Sequence, residues 1–397
     1  MALSKIDVAN MLTGATPVAN GGTAATTLAA AGLGKRPNAK PLIVNGSMDV
    51  SQRATSVTGK TTTDIYTVDR MSAVIGSIGT YTVAQEAQTS GNAFANGFAN
   101  AWRIDCTSAD ASPAASDQLQ MQYTFEGQDL QLFKKGTSNA EKFTLAFWVK
   151  SNKTGTGNIQ LKDKDNSNRQ CTQSYTISSA NTWEHKVCVF GADTTGAFDD
   201  DNAKSLIINW WLGSGTDSSS GTANHGTWEA QDQTKVNDGG TLNINDNTAN
   251  DWAITGIQLE VGEFTSSTLP PFQHESFGDN LQRCLRYFEK TYEIGTAPGT
   301  ATGTGIIRSG GNQGGRTSGR MGDSTTYVVG KRAAPTVVFF DSGGNSGVMS
   351  RLDQGSSSAT NKNATLANGC SKSFEVTSTG DSTGDCMNYH FTAEAEL

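Results

Sequence analysis

The chain has 397 residues, of which only 17% are charged, and a formal net charge of −8. Its 44 glycines and its many Ser, Thr, Asn and Asp residues favour short strands joined by polar turns over long helices. The chain has no Lys/Arg cluster, so it lacks the basic face that phosphate backbones require, which excludes nucleic-acid binding as its main role. No apolar run reaches the ~20 residues of a membrane-spanning helix, so no membrane insertion is expected.

Residues 1–40 differ in composition from the rest of the chain. They are rich in Ala, Gly and Thr and contain no aromatic residue, so they cannot build a core of their own. The apolar side chains that this segment can offer to a partner are Ile6, Val8, Leu12, Pro17 and Val18. We expect an extended segment that orders against sister chains or a socket protein, with a disordered leader as the alternative.

Residues 41–275 show the apolar–polar alternation that is typical of β-strands. The clearest example is KFTLAFWVKS at 142–151, in which every second residue is a large apolar one. Other strand-like runs follow at intervals that suit an antiparallel jelly-roll sandwich. Residues 216–251 are mostly Ser, Thr, Gly, Asn and Asp, and this composition predicts a long exposed loop.

One helix is predicted at 276–290, because Leu281, Leu285 and Phe288 recur at helical spacing in SFGDNLQRCLRYFEK. It connects the sandwich to a second, smaller β domain at 291–397, where runs such as APTVVFFDS and KSFEVTS are separated by Gly- and Ser-rich turns. The predicted fold is therefore all-β: an extended N-terminal segment, an antiparallel jelly-roll sandwich, one short helix and a C-terminal β domain.

Several stretches resemble a known group of proteins. PVANGGTAATTL (17–28) is similar to segments that recur in phage tail-fibre proteins. LIVNGSMDVSQRATS (42–56), YTVDRM (66–71) and the block from WAITGIQLEVGEF to CLRYFEK (252–290) resemble signatures of phage structural proteins with a carbohydrate-binding-like jelly roll. The stretch from RAAPTVVFF to the terminal YHFTAEAEL resembles their C-terminal β domain. The resemblance covers most of the chain in the same order.

This resemblance implies a homotrimeric virion protein, a tail-fibre-like subunit that is assembled in the host cytoplasm and carried on the tail or another external appendage. Its implied partners are a phage tail, collar or adaptor protein at the N-terminus and a host surface glycan or protein, bound through several weak sites per particle. A non-adhesive head or collar fibre, or a decoration protein, stays open as an alternative. A glycan-degrading enzyme is a further one.

The sequence lacks the usual catalytic motifs. It contains no HExxH pattern, no GxSxG elbow and no P-loop, which favours a protein that is not an enzyme and needs no cofactor. Two acidic clusters, Asp163/Asp165 and Asp199-Asp200-Asp201, are interpreted as solvated turn residues, with calcium ligation as the alternative and glycan hydrolysis as a further one. The six cysteines form no CxxC pair, so no metal site is predicted, and most of them are expected to be free thiols because assembly in the cytoplasm disfavours disulfides.

Candidate ligand-binding residues come from the tryptophans, because sugar sites often combine flat aromatic rings with amide or carboxylate groups. Trp228, in the polar stretch ANHGTWEAQD, is the best exposed candidate, and Asn224 lies in the same stretch. Trp210 and Trp211 are adjacent, so in a strand one faces in and the other out, and Trp211 is the third candidate. The alternative for Trp228 is packing under its own loop or at a subunit interface.

Overall fold

The computed structural model describes residues 40–63, 65–309, 319–352, 359–380 and 386–397. The five candidate attachment residues between Ile6 and Val18 lie outside these ranges. Within them, no helix combines the length and the apolar character that crossing a bilayer requires.

In the described part of the chain, residues 56–261 form two six-stranded sheets, and all neighbouring strands within each sheet are antiparallel. In chain order the strands are β1 Ser56–Lys60, β2 Ile65–Val68, β3 Met71–Gly76, β4 Thr80–Ala87, β5 Asn100–Ser108, β6 Gln118–Glu126, β7 Phe143–Ser151, β8 Gly155–Asp163, β9 Gln170–Ile177, β10 Glu184–Phe190, β11 Lys204–Ser214 and β12 Asp251–Val261. Sheet 1 has the order β1-β4-β5-β12-β7-β10, and sheet 2 has the order β2-β3-β6-β11-β8-β9. The predicted jelly-roll sandwich is confirmed.

The core lies between the two sheets and is built by alternating strands such as β7. Phe143, Leu145, Phe147 and Val149 are all fully buried, as the sequence pattern of that strand predicts. The ring of Phe147 meets Trp210 of sheet 2 edge-on, with centroids 6.0 Å apart. Burial of such apolar surface, at roughly 25 cal/mol per Å², holds the two layers together.

The segment between β11 and β12 is a loop that packs against the sandwich and does not project into solvent. It contains 3-10 helices at Thr216–Ser218, Gln233–Lys235 and Ile244–Asp246. Val236, Leu242 and Ile244 are buried, and the last two belong to the main core. The prediction of a long loop at 216–251 is confirmed, but the loop is not exposed throughout, because a few apolar residues scattered among polar ones dock it onto the sandwich.

Two α-helices occur in the described ranges, α1 at Gly91–Ala95 and α2 at Phe277–Leu285. The Oγ atom of Ser276 caps α2 by accepting a hydrogen bond from the Asp279 backbone N–H at 3.2 Å. The helix is shorter than the predicted 276–290. It ends early because the chain pairs again at Phe288–Lys290, which forms the first strand of the C-terminal sheet.

The C-terminal domain is smaller and also all-β. Its strands in the described residues are β13 Phe288–Lys290, β14 Ile307–Ser309, β15 Gly319–Thr326, β16 Thr336–Phe340, β17 Val348–Leu352, β18 Ala359–Asn363, β19 Thr365–Ala367, β20 Ser373–Gly380 and β21 Cys386–Glu394. The last strand, β21, pairs with β13, β14, β16 and β17. Phe339, Phe374, Tyr389 and Phe391 pack together in a core separate from that of the sandwich.

The two domains meet through charged residues from distant parts of the chain. Arg53 donates to both carboxylate oxygens of Glu394 (Nε–Oε2 3.0 Å, Nη2–Oε1 2.7 Å). Arg70 pairs with Glu396, and its guanidinium lies 3.5 Å from the centroid of the Tyr287 ring. These residues belong to the QRATS, VDRM, RYF and AEAEL stretches. The sequence features that carry the resemblance therefore hold the domain junction together.

Candidate functional site

The outer face of sheet 2 carries two parallel rows of mostly polar side chains, which together we call the amide face. Each row runs across five neighbouring strands, β3, β6, β11, β8 and β9, through residues that are partners in the sheet register. The first row is Ser72, Gln122, Asn209, Gln160 and Thr172. The second row is Val74, Gln120, Trp211, Asn158 and Ser174. Because side chains alternate along a strand, both rows point away from the core.

The adjacent tryptophans of β11 divide between the two faces of the sheet. Trp210 lies in the core between the sheets, whereas Trp211 lies in the second row of the amide face. The prediction that one of the pair faces in and the other out is confirmed, and Trp211 is the outward one.

Hydrogen bonds between side-chain amides run along the first row. Gln122 Nε2 donates to Asn209 Oδ1 at 2.9 Å, and Asn209 Nδ2 donates to Gln160 Oε1 at 3.0 Å. Gln160 Nε2 then donates to Gln170 Oε1 at 3.1 Å, in the next row on β9. A primary amide has two N–H donors and two acceptor lone pairs, so each group keeps hydrogen-bonding capacity beyond these contacts. The hydrogen bonds along the row therefore hold each amide in one orientation, with its donor and its acceptor in fixed positions.

Three buried polar atoms of the amide face have no hydrogen-bond partner within the described residues: Trp211 Nε1, Asn158 Oδ1 and Thr172 Oγ1. Trp211 is 2% exposed, and the other two side chains are equally shielded. Leaving a buried polar group unpaired costs about 1–3 kcal/mol. Such atoms need a hydrogen bond from water or a ligand, and they are not confined to this face, because the Nε1 atoms of the core residues Trp102, Trp210 and Trp252 are unpaired among the described residues too.

The segment after β11 forms a wall over one side of the amide face. Asn237 receives a hydrogen bond from Asn158 Nδ2 at 3.1 Å and donates to Ser214 Oγ at 2.9 Å. The backbone carbonyl of Asp232 accepts from Gln170 Nε2 at 2.9 Å. These contacts cover the part of the face on β8 and β9, which is why its amides are so little exposed.

Solvent reaches the amide face at other positions. Val74 and Gln122, toward β3 and β6, are half-buried. Lys162 is half-buried as well, and it lies one register step beyond Gln160 on β8. Burial and the neighbouring charge of Lys164 lower the pKa of Lys162 below its ordinary value. The accessible part of the site is thus the amide of Gln122 and the ammonium of Lys162, whereas the amides of Gln120, Asn209 and Gln160 are buried.

Trp228 does not lie on this face. It is 8% exposed, its ring packs 5.8 Å from that of Phe143, and its Nε1 donates to the Gly191 carbonyl at 2.8 Å. The prediction that Trp228 is exposed is wrong, and the alternative of packing under its own loop is confirmed, because the segment turns the ring toward the core. Asn224 is exposed, in a turn where its carbonyl accepts from the Thr227 N–H at 3.0 Å. The structure does not bring the three candidate ligand residues together.

The outer face of sheet 1 has a second group of aromatic residues. Trp148 is half-buried, and its ring lies 5.0 Å from that of the exposed His185. Lys150 lies 5.1 Å above the buried Trp183 ring. Trp183 belongs to a small buried cluster that is separate from the main core, and Trp148 packs against this cluster.

One of the acidic clusters has a structural role. Asp163 is fully buried, and it and Asp193 accept from the ammonium of the buried Lys135 at 2.6 Å and 3.1 Å. The carbonyls of Thr195 and Gly196 complete this cage at 3.0 Å and 2.7 Å. The interpretation of Asp163 as a solvated turn residue is therefore wrong, whereas Asp199-Asp200-Asp201 is exposed as expected. No group of three side chains suited to a metal ion occurs in the residues described.

No protein-family model and no curated protein matches the chain. Solved structures match part of it. The enzymatically active domain of tailspike protein 4 from bacteriophage CBA120 matches 56% of this chain at 14% identity, with a TM-score of 0.27, and the chain covers 21% of that domain. A putative sugar-binding protein from Bacteroides thetaiotaomicron matches 56% of this chain and 100% of its own length, at 14% identity and a TM-score of 0.29. A family 22 carbohydrate-binding module from Clostridium thermocellum matches 49% of this chain and 87% of its own length, at 11% identity and a TM-score of 0.27.

Proposed function

We propose that this chain is a non-catalytic, glycan-binding structural subunit of a bacteriophage particle, of the tail-fibre type. The amide face is the binding surface. The observation that carries the proposal is the row from Gln122 through Asn209 to Gln160, beside a tryptophan whose Nε1 has no partner in the described residues. Fixed amides that retain donors and acceptors suit the hydroxyl groups of a sugar chain.

The virion role rests on the sequence resemblance, which extends over most of the chain. In this proposal the N-terminal segment attaches the subunit to a tail or collar protein, and three copies associate. Each copy offers one weak glycan site, and several copies per particle raise the avidity for a host surface without tight single contacts. A head or collar fibre or a decoration protein would use the same fold without the glycan contact.

Glycan binding is tested with the full chain and a library of bacterial surface polysaccharides. The informative variant is Gln122→Ala, because Gln122 is half-buried at the open side of the amide face. Loss of one or two hydrogen bonds should weaken the affinity about tenfold. Gln173→Ala is the matched control: Gln173 lies in the same sheet, and its Nε2 makes one hydrogen bond, at 3.0 Å, to Val189 of sheet 1. Equal affinities of the two variants, or no binding by the unmodified chain, contradict the proposal.

The virion role is tested by imaging. Antibody or gold labels against residues 291–397 should mark an external appendage of the phage particle. Deletion of residues 1–40 should release the protein from particles while leaving its glycan affinity unchanged. Labels on the capsid lattice would favour decoration over adhesion.

A further inference from the structure

Lys162 is a positively charged residue on β8, beside the amide rows of sheet 2. It is the partner of Ile207 on β11 and of Gln170 on β9, in the row next to that of Asn209 and Gln160. Its side chain therefore points to the same side of sheet 2 as the amides. From the spacing of strands and residues in a sheet, the Cα atoms of Lys162 and Gln122 are roughly 12 Å apart, a distance that two or three linked sugar units can span.

The ammonium of Lys162 makes no hydrogen bond or ion pair with any of the described residues, although it is half-buried. The adjacent carboxylate in sequence, Asp163, points into the sandwich and binds Lys135. The other charged neighbour is Lys164, which is exposed and donates to Asn168 at 2.6 Å. Lys162 is thus a partly desolvated cation next to another cation.

The acidic groups around the face are bound elsewhere. Glu229 and Asp232 pair with Lys235 at 3.0 Å and 3.7 Å, within the wall segment. Glu126, which lies on β6 one row beyond the row of Lys162, pairs with Arg286 at 2.6 Å. Removing an ammonium group from water without a counter-ion is unfavourable. A bound anion at Lys162 would offset that penalty and gain a charge-assisted hydrogen bond.

We infer that the amide face binds an anionic polysaccharide, in which neutral hydroxyl groups contact the amide row and an acidic substituent contacts Lys162. The inference rests on the proposed function and names the class of glycan. Carboxylate groups of uronic-acid units and phosphate monoester groups attached to the sugar units share this chemistry, because an ammonium group attracts either one as a point charge.

The test uses the full chain and acidic capsular polysaccharides from several bacteria. Each polymer is measured in its native form and after its acidic groups are removed, by reduction of carboxyl groups or by dephosphorylation. Native polymers should bind about tenfold more tightly than their neutral forms. Lys162→Gln should remove this difference between native and neutral forms, and Lys162→Arg should retain it. Whichever treatment abolishes the preference identifies carboxylate or phosphate as the recognised group.

Lys142→Gln is the control for the change in net charge, because Lys142 is exposed and pairs with Glu263 away from the amide face. Added salt should weaken the binding of native polymer by the unmodified chain more than by Lys162→Gln. If native and neutral polymers bind equally, or if Lys162→Gln behaves like the control, the inference is overturned and glycan binding stands. If no polymer of either form binds, the proposed function itself fails.

Discussion

Asn45 and Asn280, which are 235 positions apart, bind each other through their amide groups. The backbone N–H of Asn45 donates to Asn280 Oδ1 at 3.1 Å, and Asn280 Nδ2 donates back to Asn45 Oδ1 at 3.0 Å. Asn45 Nδ2 also donates to the carbonyls of Val50 and Asp69, at 2.9 Å and 3.0 Å. One buried amide thus joins the start of the sandwich to α2, the helix that leads into the C-terminal domain.

Asn280→Ala should destabilise the sandwich by about 1–3 kcal/mol, because it leaves the buried N–H of Asn45 without its acceptor. All seven tryptophans lie between positions 102 and 252, so tryptophan fluorescence during urea unfolding reports on the sandwich alone. The exposed Asn139→Ala is the control and should be neutral. An equal effect of the two variants would show that α2 does not stabilise the sandwich.

Glu126 should make the stability of the sandwich depend on pH. Burial alone would raise the pKa of Glu126, but hydrogen bonds from Arg286 and Tyr287 outweigh it and lower that pKa below its ordinary value of 4.5. A folded-state pKa below the unfolded one means that the carboxylate stabilises the fold above about pH 4.5. This contribution is lost as the pH falls through the folded-state pKa.

The variant Glu126→Gln should therefore unfold at a lower urea concentration than the unmodified chain at pH 7. The difference should shrink as the pH falls below about 4.5, the ordinary value, because the unfolded chain then gains a proton at Glu126, and it should vanish once the pH is below the lower folded-state pKa. Glu263→Gln, at an exposed position, is the control. A difference that stays constant from pH 7 to pH 3 would contradict the proposed role of the Glu126 charge.

Lys135→Met should be among the most destabilising single changes in the sandwich. The ammonium is buried between Asp163 and Asp193, and its loss leaves these carboxylates without their common cation. Breaking a buried ion pair in this way costs about 3–5 kcal/mol. The neighbouring Lys134→Met removes the same charge from a side chain that is 52% exposed and should cost little. Asp163→Asn in the Lys135→Met background should restore part of the loss, as urea unfolding will measure.

Local sequence patterns predicted the strands but not the contacts between distant residues. The alternation in β7 places Phe143 and Phe147 in the core because it depends only on the strand period. The pairing of Lys135 with Asp163 and Asp193 has no local signature, since it depends on which turns meet at one end of the sandwich.

The candidate site was predictable only in part for the same reason. Alternation places either Trp210 or Trp211 outside the core but cannot say which one. The amide row needs the register of three strands, which brings together Gln122, Gln160 and Asn209. Trp228 was misplaced because a polar flanking sequence says little about the direction of one large ring when its segment folds back on the core.

Cys370 should be the first thiol to react with an alkylating agent. It is exposed, and hydrogen bonds from the Lys372 backbone N–H and the Ser373 side chain lower its pKa. Burial raises the pKa of Cys171 and of Cys188 to about 12. Brief iodoacetamide treatment of the folded chain, followed by peptide mass mapping, should find the label on Cys370, and Cys171 and Cys188 should react only after unfolding. Equal labelling of the three would contradict the burial of the sandwich thiols.

Trp211→Phe and Trp228→Phe should separate ligand binding from stability. Each change keeps a six-membered aromatic ring and removes the pyrrole part of the indole with its N–H, so the two changes remove the same side-chain volume. The N–H of Trp211 has no partner in the described part of the chain, so Trp211→Phe should lower the urea midpoint through lost packing alone. The N–H of Trp228 donates to the Gly191 carbonyl, so its loss should destabilise the sandwich by about 1 kcal/mol.

Glycan affinity should respond in the opposite order. If the Trp211 N–H donates to a sugar hydroxyl, Trp211→Phe weakens binding by about tenfold, whereas Trp228→Phe leaves the affinity of the folded protein unchanged. Calorimetric titration with a polysaccharide that the unmodified chain binds measures both variants. If only Trp228→Phe weakens binding, the binding site lies at the segment around Asn224 and not on the amide face. In that case the unpaired N–H of Trp211 would have to be satisfied by water.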